Sequence, residues 1–207
     1  MNKRLLPKFK FDRRISENIW NTAKSSYNRK QNAPGQHGTK SKSILSDYCI
    51  RLLAKQKLKF YYSNLTESKF KKVYIKALNY KGNVSHNLVR LLELRLDVLV
   101  YRVGLVPSFR AARQLINHGH ILVNNKKVNI CSFECSIGDI FRVIPNFVNS
   151  LIIKQSLLNS KYYSLNYIKA NYKYLTFELI SIPKIEEIAY LTSMCPELVI
   201  EHYSGRN

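Results

Sequence analysis

Arg110, Arg113, Gln114 and Asn117 fall at i, i+3, i+4 and i+7, so one helical face carries two guanidiniums and two amides. Guanidiniums grip phosphate bidentately and amides read base edges, a combination suited to nucleic acid. His118 closes the same stretch, and Lys126 and Lys127 follow on a short apolar hairpin pattern. Helix, tight connection and basic hairpin together would line one groove. A solvated helix face would look the same for an isolated Arg pair; the adjoining lysines favour a ligand.

A second basic element stands at the start. Lys3, Arg4, Lys8, Lys10, Arg13 and Arg14 alternate with Phe9 and Phe11. Cations meet phosphates and rings stack on bases, so such an arm suits RNA. Gln36 and His37 sit in the turn-forming tract Pro34-Gly35-Gln36-His37-Gly38, placed to approach a phosphate through backbone and side chain. Lys55 and Lys57 add cations on the helical stretch that follows. Arg95 and Arg102 are seven apart, and Asp97 lies between them. The expected division gives Arg95 a helix-pairing role and places Arg102 nearer the ligand.

The whole chain supports a polyanion partner. Its 207 residues hold 34 Lys plus Arg against 13 Asp plus Glu, a net charge of +21. Self-repulsion on that scale is relieved by binding a polyanion. The excess is concentrated: residues 1–44 carry +9, 45–82 carry +7, 83–144 carry +4 and 145–207 only +1. The last third therefore reads as packing material.

Elements that could position these residues follow from caps and periodicity. Residues 1–44 lack a sustained apolar period and read as an extended or irregular arm. Ser46-Asp47 and Thr66 are N-caps of two helices, the second running to about Tyr80. Leu88, Leu92, Leu96, Leu99 and Val103 step by four, four, three and four, one helical stripe over Asn87–Val103. Ser108 caps the helix Phe109–His118. Ile121–Val123 and Val128–Ile130 flank Asn124-Asn125, which suits a primed turn, and Ile140–Ile144 makes a third strand. Residues 150–159 read as helix, 162–180 yield no assignment, and Glu197–Tyr203 reads as a terminal strand.

Several classes are excluded. No run of 18 apolar residues spans a bilayer, and no long basic amphipathic helix lies on one. The basic start lacks a secretory apolar run and has acidic Asp12 and Glu17 nearby, so neither leader nor import presequence is expected. Cys49, Cys131, Cys135 and Cys195 are too scattered for a disulfide framework, and Cys131/Cys135 have no second metal-ligand pair. No Walker loop, G-x-G-x-x-G or H-E-x-x-H is present, so neither cofactor nor catalytic centre is nominated.

The run Leu94-Arg95-Leu96-Asp97, Tyr101-Arg102-Val103-Gly104 and Ala111 to Asn124 resembles the small alpha-L-type RNA-binding domain. Pro7-Lys8, Arg13-Arg14, Pro34–Gly38, Leu45–Tyr48, Lys55–Leu58, Lys81–Asn83 and the ending Leu198–Ser204 resemble, in order, the small-subunit ribosomal protein four family. That resemblance implies an α+β fold: a mainly helical domain, a small RNA-binding domain of two helices and a short antiparallel sheet, and a basic N-terminal arm. The corresponding boundaries are 1–44 for the arm, 45–92 for the helical domain and 93–145 for the RNA-binding domain. Residues 146–207 would form a C-terminal segment packing back on the helical domain.

The resemblance further implies a small-subunit rRNA-binding protein that docks at a helix junction, nucleates assembly and supports decoding accuracy. Its implied neighbours are small-subunit protein five and the mRNA entry path, with no membrane and no homo-oligomer. Some members hold zinc through cysteines in the arm; residues 1–44 contain none, so no metal is expected there. The arm resembles alphaproteobacterial members, and the abundance of Asn, Ile, Lys and Tyr with little Gly suggests an A+T-rich genome. A mitochondrial ribosome is the expected location, with a plastid or a bacterial cytoplasm as alternatives. The competing function is an RNA-modifying enzyme with an appended RNA-binding domain, since Arg95-Leu96-Asp97 resembles the tripeptide around a pseudouridine synthase's catalytic Asp.

Overall fold

A computed structural model describes residues 9–39, 45–159, 165–188 and 190–205. Its helices in chain order are α1 (Lys10–Ile15), α2 (Ser26–Arg29), α3 (Asp47–Tyr61), α4 (Glu67–Leu78), α5 (Val84–Glu93), α6 (Leu96–Arg102), α7 (Phe109–Asn117), α8 (Leu151–Asn159) and α9 (Pro196–Ser204). Its strands are β1 (Ile121–Val123), β2 (Lys126–Val128), β3 (Ile140–Val143), β4 (Ile168–Asn171) and β5 (Thr176–Leu179). Helices and one antiparallel sheet give the expected α+β class. The chain divides into two compact units, one made of the part up to Leu65 plus the end from Ala189, the other of Thr66–Ile188.

In the first unit the arm is more ordered than its composition suggests. The Asp12 carboxylate, fully buried, accepts a 2.6 Å hydrogen bond from the Ser25 hydroxyl. The Ser26 hydroxyl donates to the Phe9 carbonyl at 2.8 Å, so α1 and α2 are tied side to side. Phe11 and Trp20 place their rings 4.3 and 5.0 Å from that of Phe60 on α3. The expected irregular arm is thus corrected over its described residues. Helices of six and four residues are too short to show a period and owe their order to these distant anchors.

The end of the chain is also corrected. Residues expected as a strand form α9, with Pro196 in its first turn. Val199, His202 and Tyr203 are buried at helical spacing against α3, and the Tyr48 and His202 rings lie 5.5 Å apart. Packing against α3 overrides the strand preference of the Leu-Val-Ile run.

In the second unit, side-chain caps start the helices as expected: Thr66 accepts from the Lys69 N–H and Ser108 from the Ala111 N–H, each at 3.3 Å. Asn87 on α5 donates to the carbonyls of Tyr80 and Lys81 at 3.2 and 3.3 Å, holding the α4 exit. The single helix expected over Asn87–Val103 is broken. Leu94 ends α5, and Arg95 is extended with φ −72° and ψ 139°. The Leu96 N–H donates to the Phe133 carbonyl at 2.8 Å, and the Cys135 N–H to the Leu94 carbonyl at 2.9 Å. The loop 131–135 therefore takes over bonds that a continuous helix would have made. The leucine stripe survives the break because Leu88, Leu92, Leu96, Leu99 and Val103 are all buried.

The sheet has strand order β2-β1-β3-β5-β4, every neighbour antiparallel. Asn124 and Asn125, at φ 48° and 65°, make the primed turn joining β1 to β2. Asn124 also bridges to β3, donating to the Asp139 carboxylate at 2.8 Å and accepting from the Ile140 N–H at 3.0 Å. The unassigned tyrosine-rich stretch supplies β4 and β5. One face of the sheet meets α6, α7 and α8 in a single core containing Leu99, Ile116, Phe141, Ile153 and Phe177. The opposite face, with Arg142 and Lys169, stays exposed.

Candidate nucleic-acid interface

The amphipathic sequence of α7 sets this interface. Phe109, Ala112, Leu115 and Ile116 are buried in the core, which turns Arg110, Arg113, Gln114 and Asn117 toward the other side. Only Gln114 is exposed among those four; Arg110, Arg113 and Asn117 are half-buried. Burial, then the adjacent Arg113 charge, lowers the Arg110 pKa, and an arginine so perturbed stays cationic at neutral pH.

Carboxylates inside the unit capture three arginines. Asp97, nearly fully buried, accepts from Arg95 Nε at 3.0 Å and Nη2 at 2.7 Å, with Arg113 Nη2 3.5 Å away. Glu93, fully buried, accepts from Arg102 Nε at 3.0 Å and Nη2 at 2.7 Å. The Arg102 side chain is 7 % exposed. Arg102, expected nearer the ligand, joins α6 to α5 through this buried carboxylate. Arg95 shares Asp97 with Arg113, linking the start of α6 to α7. Asp97, held this way, is not presented as a catalytic carboxylate.

Past α7 the cations are open. His118 is exposed, and its ring lies 5.9 Å from that of His120, which stacks on Phe147 at 3.9 Å and 8°. Burial, then His118, then Lys127 lower the His120 pKa. Lys126 and Lys127 on β2 are both exposed. The Lys127 chain crosses Gly119, where φ is +73° and any Cβ would collide with it. The end of α7, His120 and the β2 lysines therefore form one continuous surface. His120 is the residue that sequence reasoning missed; its position two residues after His118, entering β1, was the available signal.

In the first unit Lys10 and Arg14 lie four residues apart on α1, exposed at the rim of a cleft of about 480 Å³ floored by Phe11, Leu52 and Phe60. Arg13 instead donates to the Asn32 and Ala33 carbonyls at 2.9 and 3.3 Å, fixing the turn that exposes Gln36 and His37. Lys55 and Lys57 are buried rather than presented. Lys55 Nζ lies 5.4 Å from the Tyr203 ring centre, and Lys57 Nζ contacts Glu17 at 2.5 Å and the Ser193 carbonyl at 2.7 Å. Both side chains, expected at the ligand, hold α3 to other elements of its unit. Lys3, Arg4 and Lys8 lie outside the described residues.

Cys135 lies in the core, where burial and then Asp139 raise its thiol pKa to about 12, so it remains a neutral thiol. Among the described residues no three His, Cys, Asp or Glu side chains gather to hold a metal, and no helix is long and apolar enough to cross a membrane.

Two family models match in tandem: the ribosomal protein S4/S9 N-terminal domain over residues 3–93 and the S4 domain over 94–141. The chain belongs to the ribosomal protein S4 family. It is 45 % identical over 205 residues to small ribosomal subunit protein uS4 of Caulobacter sp. (strain K31), covering 99 % of this chain and all of that one. The uS4 proteins of Phenylobacterium zucineum and Bartonella bacilliformis are 44 % and 41 % identical, again over 99 % of this chain and the whole of theirs. Membership places the chain among ribosomal proteins and gives the RNA-modifying enzyme reading no support.

Proposed function

We propose that the chain is a structural component of the small ribosomal subunit that binds small-subunit rRNA directly, without catalysing a reaction. The observation that carries this reading is the joined surface of Gln114, Asn117, His118, His120, Lys126 and Lys127, in which amides and imidazoles lie beside exposed ammonium groups. Such a surface grips phosphates while offering donors to base edges. Arg110 and Arg113 support it from α7. Lys10, Arg14, Gln36 and His37, with Lys3, Arg4 and Lys8, form the arm's share. The functional division is an arm over 1–44, a helical part over 45–92 and a recognition module over 93–145, whose sheet β4 and β5 extend, while of the segment 146–207 only the end with α9 joins the unit that holds α3.

The finer reading is that this surface docks at a helix junction, nucleates assembly and supports decoding accuracy beside protein five and the mRNA entry path, as a single copy. The location proposed is a mitochondrial ribosome. Alphaproteobacterial relatives and a composition rich in Asn, Ile, Lys and Tyr, with only 7 Gly in 207 residues, support it, with a plastid and a bacterial cytoplasm as the alternatives. Crosslinking the native protein to RNA in fractionated organelles and sequencing the attached fragments tests both levels. Fragments from a junction of mitochondrial small-subunit rRNA are expected. Protein sedimenting free of ribosomal particles would refute the function; attachment to another compartment's rRNA would refute only the location.

A further inference from the structure

The open face of the sheet carries a second set of cations, on residues past the stretch that the two family models match. The register places Leu122 between Lys127 and Arg142, and Arg142 opposite Thr176, which faces Asn171. In the adjoining row Glu178 lies between Ile140 and Lys169. The β3, β4 and β5 side chains of these two rows border a cleft of about 590 Å³ that also takes in Lys173 and Tyr174 from the β4–β5 turn. Tyr174 is 66 % exposed, and Lys173 Nζ lies 5.6 Å from its ring centre. Arg142 and Lys169 have no ion-pair or hydrogen-bond partner among the described residues, unlike Arg95 and Arg102. Among the described residues Glu178 is the one carboxylate lining the cleft.

We propose that this sheet face is a second RNA-binding site, taking an unpaired stretch of RNA with phosphates on Arg142, Lys169 and Lys173 and a base on Tyr174. Neighbouring strands lie about 4.8 Å apart, so cations on β3 and β4, with β5 between them, stand roughly 10 Å apart along the cleft. Asn171 and Thr176 add neutral donors and acceptors between them. A sheet surface with an exposed ring among cations suits single-stranded RNA because every base has a stacking face. A duplex presents no splayed base to Tyr174. The site lies on a different face from α7 and does not depend on junction binding.

The test uses the full chain and two probes: an unstructured 12-nucleotide uridine RNA and a folded small-subunit junction RNA. The triple variant R142Q/K169Q/K173Q should flatten the log–log salt slope for the 12-mer by about 2, because each single-strand phosphate contact contributes roughly 0.7. Tyr174→Ala should weaken 12-mer binding at least about fivefold while Tyr174→Phe retains it, as stacking requires. Matching thermal melts would establish that the variants are folded, and single K169Q and K173Q variants would give smaller losses in the same direction. An unchanged slope for the triple variant would overturn the proposal. So would displacement of the 12-mer by poly-glutamate as effectively as by RNA, which would assign the face to an acidic protein. Junction RNA is scored separately: failure of the wild type to bind it counts against the function proposed above and leaves the 12-mer result standing.

Discussion

Arg102 on α6 and Lys127 on β2 carry the same charge in the same unit and do different work. Arg102 meets a buried carboxylate within 3.0 Å through two nitrogens, whereas Lys127 is an exposed residue lying over Gly119. A cation already paired inside the protein has spent its attraction on the fold; an open one keeps it for a polyanion. The first unit repeats the contrast, with Lys57 engaged by Glu17 and Lys10 exposed on α1. A net charge of +21 therefore overstates what is presented to RNA, because part of the cationic inventory is structural.

This contrast can be broken by substitution. Arg102→Ala should have the largest effect on stability, about 3–5 kcal/mol, because it removes both guanidinium hydrogen bonds from the fully buried Glu93 carboxylate. Chemical denaturation reads this, and removing both partners together should cost less than removing Arg102 alone. Charge reversal in K126E/K127E should leave the denaturation midpoint nearly unmoved but weaken junction-RNA binding by several kcal/mol, a hundredfold or more. A large stability loss in that variant, or a small one in Arg102→Ala, would erase the distinction.

Ser108→Ala sharpens the comparison from the other side. It removes the cap that starts α7 and should cost about 1 kcal/mol of stability, with RNA affinity falling only as far as the helix frays. His120 supplies the smallest effect. Its folded-state pKa is lowered by burial, then by the His118 and Lys127 charges. Its contribution to stability is therefore complete above the ordinary imidazole pKa of about 6.5 and is lost as pH falls toward the lowered value. Phosphate contact favours the protonated ring, so RNA binding should strengthen over that same acid range. His120→Phe, which keeps a ring on Phe147, should reduce both pH dependences, read by denaturation and by RNA titration at pH 5.5 and pH 7.5.

The sequence was most legible where both partners of an interaction lie close together along the chain. Ser46, Thr66 and Ser108 cap N–H groups three residues on, and Asn124-Asn125 make their turn alone, so those features could be read directly. The break at Arg95 could not, because the groups replacing the lost helical bonds come from residues 131–135. The C-terminal helix was hidden for the same reason: α3, which buries Val199 and Tyr203, lies more than a hundred residues earlier. At the candidate interface, residue types and spacing nominated the α7 and β2 positions, and the structure brings them onto one surface. They did not separate open from occupied cations, since Lys57 finds Glu17 forty residues away.

The most direct test of this partition is the salt dependence of junction-RNA affinity for the wild type, K126Q/K127Q and K55Q/K57Q, restricted to variants that remain folded. If about 6–10 phosphates are contacted, wild-type affinity should fall roughly 10³–10⁵-fold between 50 and 200 mM salt. The account predicts a slope shallower by about 2 for K126Q/K127Q and an unchanged slope for folded K55Q/K57Q. Equal slopes in wild type and K126Q/K127Q, or the larger loss in K55Q/K57Q, would contradict it.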